Sequence, residues 1–309
     1  MSQKINRVMT PLEWGLLLTL SVLWGGAFFL QAVAVTELAP LVLVVSRTGI
    51  AAVTLVIVLL ATRQSFPSGR SLWLPFLVLG FLSNVVPFSL IAWAQTQIGA
   101  GLASILNAVT PLTTVVAAHF LTSDEKMTPA RVAGVLVGLA GVIIMIGGAA
   151  LRGLDANVLA QIAVLLAGVS YAFASIYGRR FGRMGVSPVQ AATGQVVVAT
   201  ALLLPAMLLV DRPWTLPMPS AQIWIAVFVL GTVSTAVAYI IFFRILATAG
   251  ATNIMLVTLL IPVSAILLGT LILHERLEAK HFVGMAFIAA GLAMIDGRIL
   301  RYVRFANKV

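Results

Sequence analysis

Two stretches of this sequence align with each other without a gap: Trp73–Pro111, WLPFLVLGFLSNVVPFSLIAWAQTQIGAGLASILNAVTP, and Trp224–Pro262, WIAVFVLGTVSTAVAYIIFFRILATAGATNIMLVTLLIP. The offset between them is 151 residues throughout. The chain is therefore an internal duplication, with copies at 1–150 and 151–309. Identical pairs include Trp73/Trp224, Gly80/Gly231, Ser83/Ser234, Gly99/Gly250 and Pro111/Pro262, and, one residue out of step, Glu125/Glu275, Gly134/Gly284 and Gly141/Gly291.

The rest of the chain is also strongly apolar. Hydrophobic residues make up 61% of it and charged residues only 9%, whereas a soluble domain is about 25% charged. Runs of about 20 apolar residues are long enough to cross a bilayer as helices. We predict an all-α integral membrane protein with ten transmembrane helices, at 12–34, 40–61, 72–94, 100–121, 130–149, 157–178, 188–210, 221–243, 252–273 and 279–297.

Each copy holds five of these spans. Because five is odd, the second copy enters the membrane from the side opposite to the first. The chain is therefore predicted to form two five-helix inverted-topology repeats, an arrangement typical of carriers that work by alternating access.

The basic residues indicate the orientation, because Lys and Arg are enriched in cytoplasmic loops. With a cytoplasmic N-terminus, fourteen basic residues fall on the cytoplasmic side, four fall outside, and Arg47 alone lies within a span. We expect both termini in the cytoplasm and a bacterial inner (plasma) membrane. The cytoplasmic set is Lys4, Arg7, Arg63, Arg70, Lys126, Arg131, Arg179, Arg180, Arg183, Arg244, Arg298, Arg301, Arg304 and Lys308; the outer set is Arg152, Arg212, Arg276 and Lys280.

Several functional classes are excluded by composition and motif. The chain has no cysteine, and it has no HExxH, phosphate loop, Ser/His/Asp set or metal cluster. We therefore expect no enzyme, cofactor or metal. Nucleic acid is not expected either, because the basic residues lie in short gaps rather than along one face. A small-molecule substrate and the lipid bilayer remain as partners. Glycine faces at Gly134, Gly138 and Gly141 favour close packing within the bundle or in a homodimer.

The paired elements resemble the drug/metabolite transporter superfamily, and within it the ten-helix EamA type. The chain also resembles the aromatic amino acid exporters of the YddG kind. These resemblances imply export of neutral or aromatic amino acids, or of similar small metabolites. One departure is that Ala192 stands about where Arg47 does in the first copy. The elements are Trp24-Gly25, Arg47, Gly99 through Pro111, Glu125, Gly134, Gly138 and Gly141, repeated as Gly250, Pro262, Glu275, Gly284 and Gly291.

The third and eighth spans supply matched candidates for a substrate cavity. Asn84 aligns with Thr235, and Phe88 aligns with Tyr239. An amide or hydroxyl could bind an ammonium or carboxylate while the ring packs on a side chain. The alternative is helix–helix packing, in which Asn and Thr form interhelical hydrogen bonds. Further cavity candidates on helical stripes are Trp24, Phe28, Asn107, Tyr171, Ser175 and Thr258.

Pro111 and Pro262 fall within spans four and nine. A proline removes a helical hydrogen bond and kinks the helix, so we expect hinges for alternating access, or else static kinks. Glu125 and Glu275 recur at the same turn and are interpreted as caps or charge partners of the helix that follows each.

Arg47 could clamp a substrate carboxylate in bidentate fashion. It lies about 10 Å from the outer end of its span, close enough to extend outward instead. It could also bind the carbonyls of a neighbouring helix, and we favour a structural role.

No span centre contains Asp or Glu. Proton relays in transporters generally use such residues, so we expect facilitated export that does not need Glu13 or Asp296. The alternative within transport is a lipophilic-cation (multidrug) exporter, which would want a buried carboxylate. The alternative in another class is a membrane channel.

Overall fold

A computed structural model describes residues 9–66, 69–122, 126–146, 155–249, 254 and 257–296. The described residues form ten helical spans, eight of which are long and apolar enough to cross a membrane by themselves. This confirms the predicted all-α architecture. The spans are span 1, Pro11–Ala34; span 2, Pro40–Ala61; span 3, Arg70–Gly80, Phe81–Val85 and Val86–Ala94; span 4, Ala100–Asn107 and Thr110–Leu121; span 5, Pro129–Ile146; span 6, Ala156–Arg183; span 7, Pro188–Val210; span 8, Ala221–Gly231, Thr232–Val237 and Ala238–Ala249; span 9, Val257–Ile272; and span 10, Ala279–Asp296.

Most predicted span boundaries agree with these bounds to within two residues. Span 6 extends to Arg183 and span 8 to Ala249, both beyond their predicted ends. The arginines near these ends are part of the helix and do not terminate it. The predicted ends at 149, 252 and 297 lie outside the described residues.

Spans 1 and 7 carry their own start signals. A capping box joins Thr10 to Glu13, and another joins Ser187 to Gln190. Each pairs a hydroxyl with a backbone N–H at the first turn and a longer side chain with the cap's own N–H. Proline follows both caps, at Pro11 and Pro188, where the missing N–H costs nothing.

Span 2 begins without a cap of its own and takes one from the other half of the chain. Its N-cap residue, Ala39, has no side-chain acceptor. The Asp211 carboxylate, at the end of span 7, accepts hydrogen bonds from the N–H groups of Leu41 at 2.9 Å and Val42 at 3.0 Å. An anion at a helix N-terminus satisfies free donors and complements the helix dipole.

The same arrangement recurs at spans 4 and 8. The Glu275 carboxylate accepts from the N–H groups of Ala100 at 2.6 Å and Gly101 at 2.9 Å, at the start of span 4. The Glu37 carboxylate accepts from the backbone N–H of Ser220 at 2.7 Å and from its hydroxyl at 3.0 Å, at the start of span 8. Three carboxylates thus bind helix starts across the two halves.

The prediction that Glu275 caps the helix after it is wrong. The chain after span 9 turns back, with the Glu275 N–H donating to the Gly269 carbonyl at 3.0 Å. The carboxylate then lies in a space that glycines leave open. A Cβ at Gly99 or Gly269 would stand 2.6 Å from it. Glu125 lies outside the described residues.

Contacts between the halves agree with spans that alternate in direction. The three carboxylate contacts all join ends that the alternation places on the outer side. On the opposite side, the Ser187 hydroxyl donates to Gln64 Oε1 at 2.7 Å, and Gln190 Nε2 donates to the Ser65 carbonyl at 2.9 Å.

Spans 5 and 10, which are equivalent in the two repeats, cross at their glycines. A Cβ on Gly141 would lie 2.6 Å from the Gly284 carbonyl oxygen, and one on Gly134 would lie 2.6 Å from that of Gly291. Small residues permit such close approach of helix backbones in a membrane. The glycine faces therefore pack against each other inside one chain, and a homodimer would need another surface.

We expect Gly141→Ala to destabilise the protein, because the new methyl group would force spans 5 and 10 apart. Overpacking of this kind costs about 1–3 kcal/mol. Thermal unfolding in detergent should show a lower midpoint. Gly15→Ala is the control, since nothing lies within 4 Å of a Cβ there. An unchanged midpoint for Gly141→Ala would contradict the crossing.

We expect Glu275→Gln to lower the unfolding midpoint by a few degrees, because a neutral amide replaces the charged acceptor at span 4. Loss of a cap costs about 0.5–2 kcal/mol. Glu278→Gln is the matched control in the same loop, where the exposed carboxylate pairs with half-buried Lys280 at 3.0 Å. Equal decreases of the unfolding midpoint for the two substitutions would argue against the capping of span 4 by Glu275.

Candidate functional site

Two π-helical segments interrupt spans 3 and 8, at Phe81–Val85 and Thr232–Val237. They begin at equivalent positions of the two repeats, and they carry Asn84 and Thr235. A π turn adds one residue to the helix and is frequent at functional sites. In the second segment the Thr235 hydroxyl donates to the Leu230 carbonyl at 2.8 Å, so the side chain supplies a partner that the wider turn needs.

Arg47 lies between the halves, with its guanidinium turned inward. Its Nε donates to Thr235 Oγ1 at 2.9 Å, and its Nη1 donates to Gln31 Oε1 at 3.0 Å. The guanidinium carbon lies 3.9 Å from the centre of the Phe88 ring. Arg47 is 8% exposed, so it does not extend to the outer surface.

Among the described residues, the neighbours of the Arg47 charge are neutral. Its contacts within the described ranges are an amide, a hydroxyl and an aromatic ring. A buried cation without a counter-ion is costly in a membrane, and such residues are functional candidates by default. The Nε2 of neighbouring Gln31 is buried without a hydrogen-bond partner.

Asn84 and Tyr239 also meet across the two halves. The Tyr239 hydroxyl donates to Asn84 Oδ1 at 3.1 Å. Asn84 is fully buried, and its Nδ2 has no hydrogen-bond partner among the described residues. Because an unsatisfied buried donor costs about 1–3 kcal/mol, a ligand that accepts a hydrogen bond here would gain that amount back.

Aromatic rings continue from Tyr239 to span 1. Ring centres are 6.3 Å apart for Tyr239 and Phe243, 5.2 Å for Phe243 and Phe242, and 5.5 Å for Phe242 and Trp24. Tyr171 packs at the edge of the same apolar region. This aromatic wall stands beside the polar groups of Asn84 and Arg47.

Gly25, the residue after Trp24, allows close packing of span 1. A Cβ on Gly25 would lie 2.7 Å from the Ile261 carbonyl oxygen, so span 1 packs directly on span 9 beside Pro262. Phe28 is buried in the core, and its carbonyl accepts from Gln95 Nε2 at 2.8 Å.

The remaining candidates lie elsewhere on their helices. Ser175 is exposed, and its hydroxyl donates to the Ala172 carbonyl of its own helix at 2.8 Å. Thr258 is half-buried in span 9, one turn before Pro262. Asn107 ends the first part of span 4, and its Oδ1 is buried without a partner.

The two prolines differ in setting. Span 4 is interrupted at 108–109, and Pro111 lies in the first turn of the segment that resumes at Thr110. Span 4 therefore runs over Ala100–Leu121, as predicted, and it is interrupted just before Pro111. Pro262 lies inside the uninterrupted helix Val257–Ile272.

Sequence reasoning missed Phe243, whereas Gln31 and Phe242 lie on the helical stripes of the predicted candidates. Both had a signal, since Gln31 is seven residues after Trp24 on one helical stripe and Phe242 is three after Tyr239. The π turns have no signal that can be recognised in a single sequence.

Comparison with known proteins shows the same two-fold organisation. The EamA-like transporter family model matches twice, at residues 13–147 and 158–296. The uncharacterized inner membrane transporter YedA of Escherichia coli is 27% identical over 291 residues, covering 94% of this chain and 92% of YedA.

Other relatives are similar over comparable lengths. The uncharacterized transporter YoaV of Bacillus subtilis is 22% identical over 284 residues, covering 90% of this chain and 94% of YoaV. Protein PecM of Dickeya dadantii is 24% identical over 275 residues, covering 88% of each chain. A solved crystal structure superposes with a TM-score of 0.66 at 21% identity, covering 94% of this chain and 98% of that one, which shows a shared fold. The ten spans, the two repeats and the double family match establish that this chain belongs to the EamA-like transporter family.

Proposed function

We propose that this transporter is a secondary carrier that exports neutral amino acids, above all aromatic ones, or similar small carboxylates. The observation that carries this proposal is the buried Arg47 guanidinium, whose contacts in the described part of the chain are neutral groups, among them the Phe88 ring beneath it. A substrate carboxylate would supply the missing counter-charge and could bind in bidentate fashion.

The surrounding groups fit the rest of an amino acid. Asn84 Oδ1 and the Tyr239 hydroxyl can accept hydrogen bonds from an ammonium, and the free Asn84 Nδ2 can donate to a carboxylate. The aromatic wall of Trp24, Phe242 and Phe243 would pack on an aromatic side chain. A lipophilic cation is a poor fit, because the charge at this centre is positive.

Alternating access follows from the inverted halves. The outer side is tied by the carboxylates of Glu37, Asp211 and Glu275 on helix starts of the opposite half. In the proposed cycle these contacts break when the carrier opens outward. The break before Pro111 in span 4 and Pro262 within the helix of span 9 are the proposed hinges, and Asn107 and Thr258 are the repeat-equivalent residues beside them.

Transport is proposed to be facilitative and located in a bacterial inner membrane with both termini in the cytoplasm. The similarity to YedA supports the location, since YedA is named as an inner membrane transporter. Glu13, an acidic residue within span 1, is held in the Thr10 capping box. It therefore has a structural use that needs no proton coupling.

We expect proteoliposomes to show saturable counterflow of phenylalanine, with little competition from phenethylamine, which lacks the carboxylate. The exchange should be unaffected by a pH gradient. Arg47→Gln should raise the KM for phenylalanine roughly 10- to 100-fold, because hydrogen bonds to a charged group contribute about 1.5–3 kcal/mol. The same change should abolish discrimination against phenethylamine.

Arg131→Gln is the matched control, because Arg131 is a half-buried arginine that donates to the Lys126 carbonyl at 3.0 Å and does not contact this site. Thr235→Val removes one neutral partner of Arg47 but keeps the charge, so it should preserve discrimination. If Arg47→Gln transports phenylalanine with unchanged KM, Arg47 is structural. Exchange of lipophilic cations alone would indicate a multidrug exporter, and flux without saturation or counterflow would indicate a channel.

We expect Trp24→Ala to reduce the preference for phenylalanine over alanine roughly tenfold, because the substrate ring loses an aromatic surface. Competition assays in the same proteoliposomes measure this ratio. Trp93→Ala, a 39% exposed tryptophan at the outer end of span 3, should leave the ratio unchanged. An equal change in both variants would place the aromatic selectivity elsewhere.

A further inference from the structure

A second, basic pocket lies at the cytoplasmic ends of spans 4 and 6, beside the middle of span 3. Its volume is about 530 Å³, within the roughly 300–1,000 Å³ of small-molecule sites. The central site does not use it. The lining residues are Leu82, Leu121, Thr122, Phe173, Ile176, Tyr177, Arg179, Arg180 and Arg183.

Three arginines from the last two turns of span 6 form the charged wall. The Arg180 guanidinium carbon lies 3.8 Å from the centre of the Tyr177 ring. Stacking on an aromatic face holds the planar fork in one orientation. Among the described residues that line this pocket, none is acidic. The arrangement is therefore suited to an anion with several oxygen acceptors, such as a phosphate.

The deeper part of the pocket is apolar and open to the surroundings. Leu121 is 55% exposed and Phe173 is 42% exposed. In a membrane-spanning bundle such surfaces face acyl chains. Phe173 precedes Arg180 by seven residues, so it lies about 10 Å deeper along the helix. The pocket thus joins a cationic rim at headgroup level to an apolar surface at hydrocarbon depth.

We propose that this pocket binds an acidic phospholipid of the cytoplasmic leaflet. The phosphate contacts Arg180 and Arg183, and one acyl chain runs along Leu121 and Phe173. Basic pockets between transmembrane helices on the cytoplasmic side are suited to anionic headgroups. A soluble anion would use the arginines alone and leave the apolar wall without a role.

The test compares three probes on purified full-length protein in a neutral detergent. They are phosphatidylglycerol, phosphatidylcholine with the same acyl chains, and glycerol 3-phosphate, which has a phosphate but no tails. The readouts are the thermal unfolding midpoint and the lipid retained in native mass spectrometry. We expect only phosphatidylglycerol to raise the midpoint and to remain bound.

The double variant Arg180→Gln/Arg183→Gln should weaken phosphatidylglycerol binding roughly 25-fold, because each basic residue near a lipid surface contributes about five-fold. Arg180→Lys keeps the charge but loses the planar group stacked on Tyr177, so it should weaken phosphatidylglycerol binding less than the double variant does. This milder variant also tests the proposal if the double variant fails to fold. Arg63→Gln is the matched control, since Arg63 is exposed on the same side and does not line the pocket.

Each contrary result overturns the proposal. Equal retention of phosphatidylcholine would show that the pocket does not recognise the headgroup charge. An equal midpoint shift with glycerol 3-phosphate would make this a site for soluble anions. An equal loss of phosphatidylglycerol binding in Arg63→Gln would show that binding depends on general surface charge and not on this pocket.

Discussion

The N–H groups at the start of a helix must find acceptors, and the bundle depends on how this chain meets that requirement. Spans 2, 4 and 8 begin at residues whose side chains do not cap them, so carboxylates from the opposite half do so. Three of the nine acidic residues in the chain serve this purpose. The halves are consequently not independent units, because each completes the helix ends of the other.

The symmetric frame holds a chemically asymmetric centre. Spans 3 and 8 contribute equivalent residues to it, Asn84 with Thr235 and Phe88 with Tyr239. Span 2 contributes Arg47, whereas span 7 has a buried alanine, Ala192, in about the same place. A single charge among paired neutral groups makes this centre electrically asymmetric, which suits the zwitterion of the proposed function. In that proposal, repeat symmetry governs the movement of the halves, and departures from it govern recognition.

Much of the architecture could be predicted from the sequence, because hydropathy and duplication act over tens of residues. The ten spans and the pairing of Asn84 with Thr235 follow from that signal. Details that depend on contacts distant in sequence could not be predicted. Glu275 is close in sequence to span 10 but lies against span 4, where Gly99 and Gly101 leave room. The inward turn of Arg47 depends on acceptors from spans 1 and 8.

The π turns of spans 3 and 8 bear on the history of the chain. Each contains one more residue than a regular helix would need, at the same register of two segments that align without a gap. Two separate insertions at one register would be a coincidence, whereas a single insertion before the gene duplicated explains both. The ancestral polypeptide then had five helices and already carried the widened turn. Two copies of it, inserted in opposite directions, would have formed the first version of this cavity.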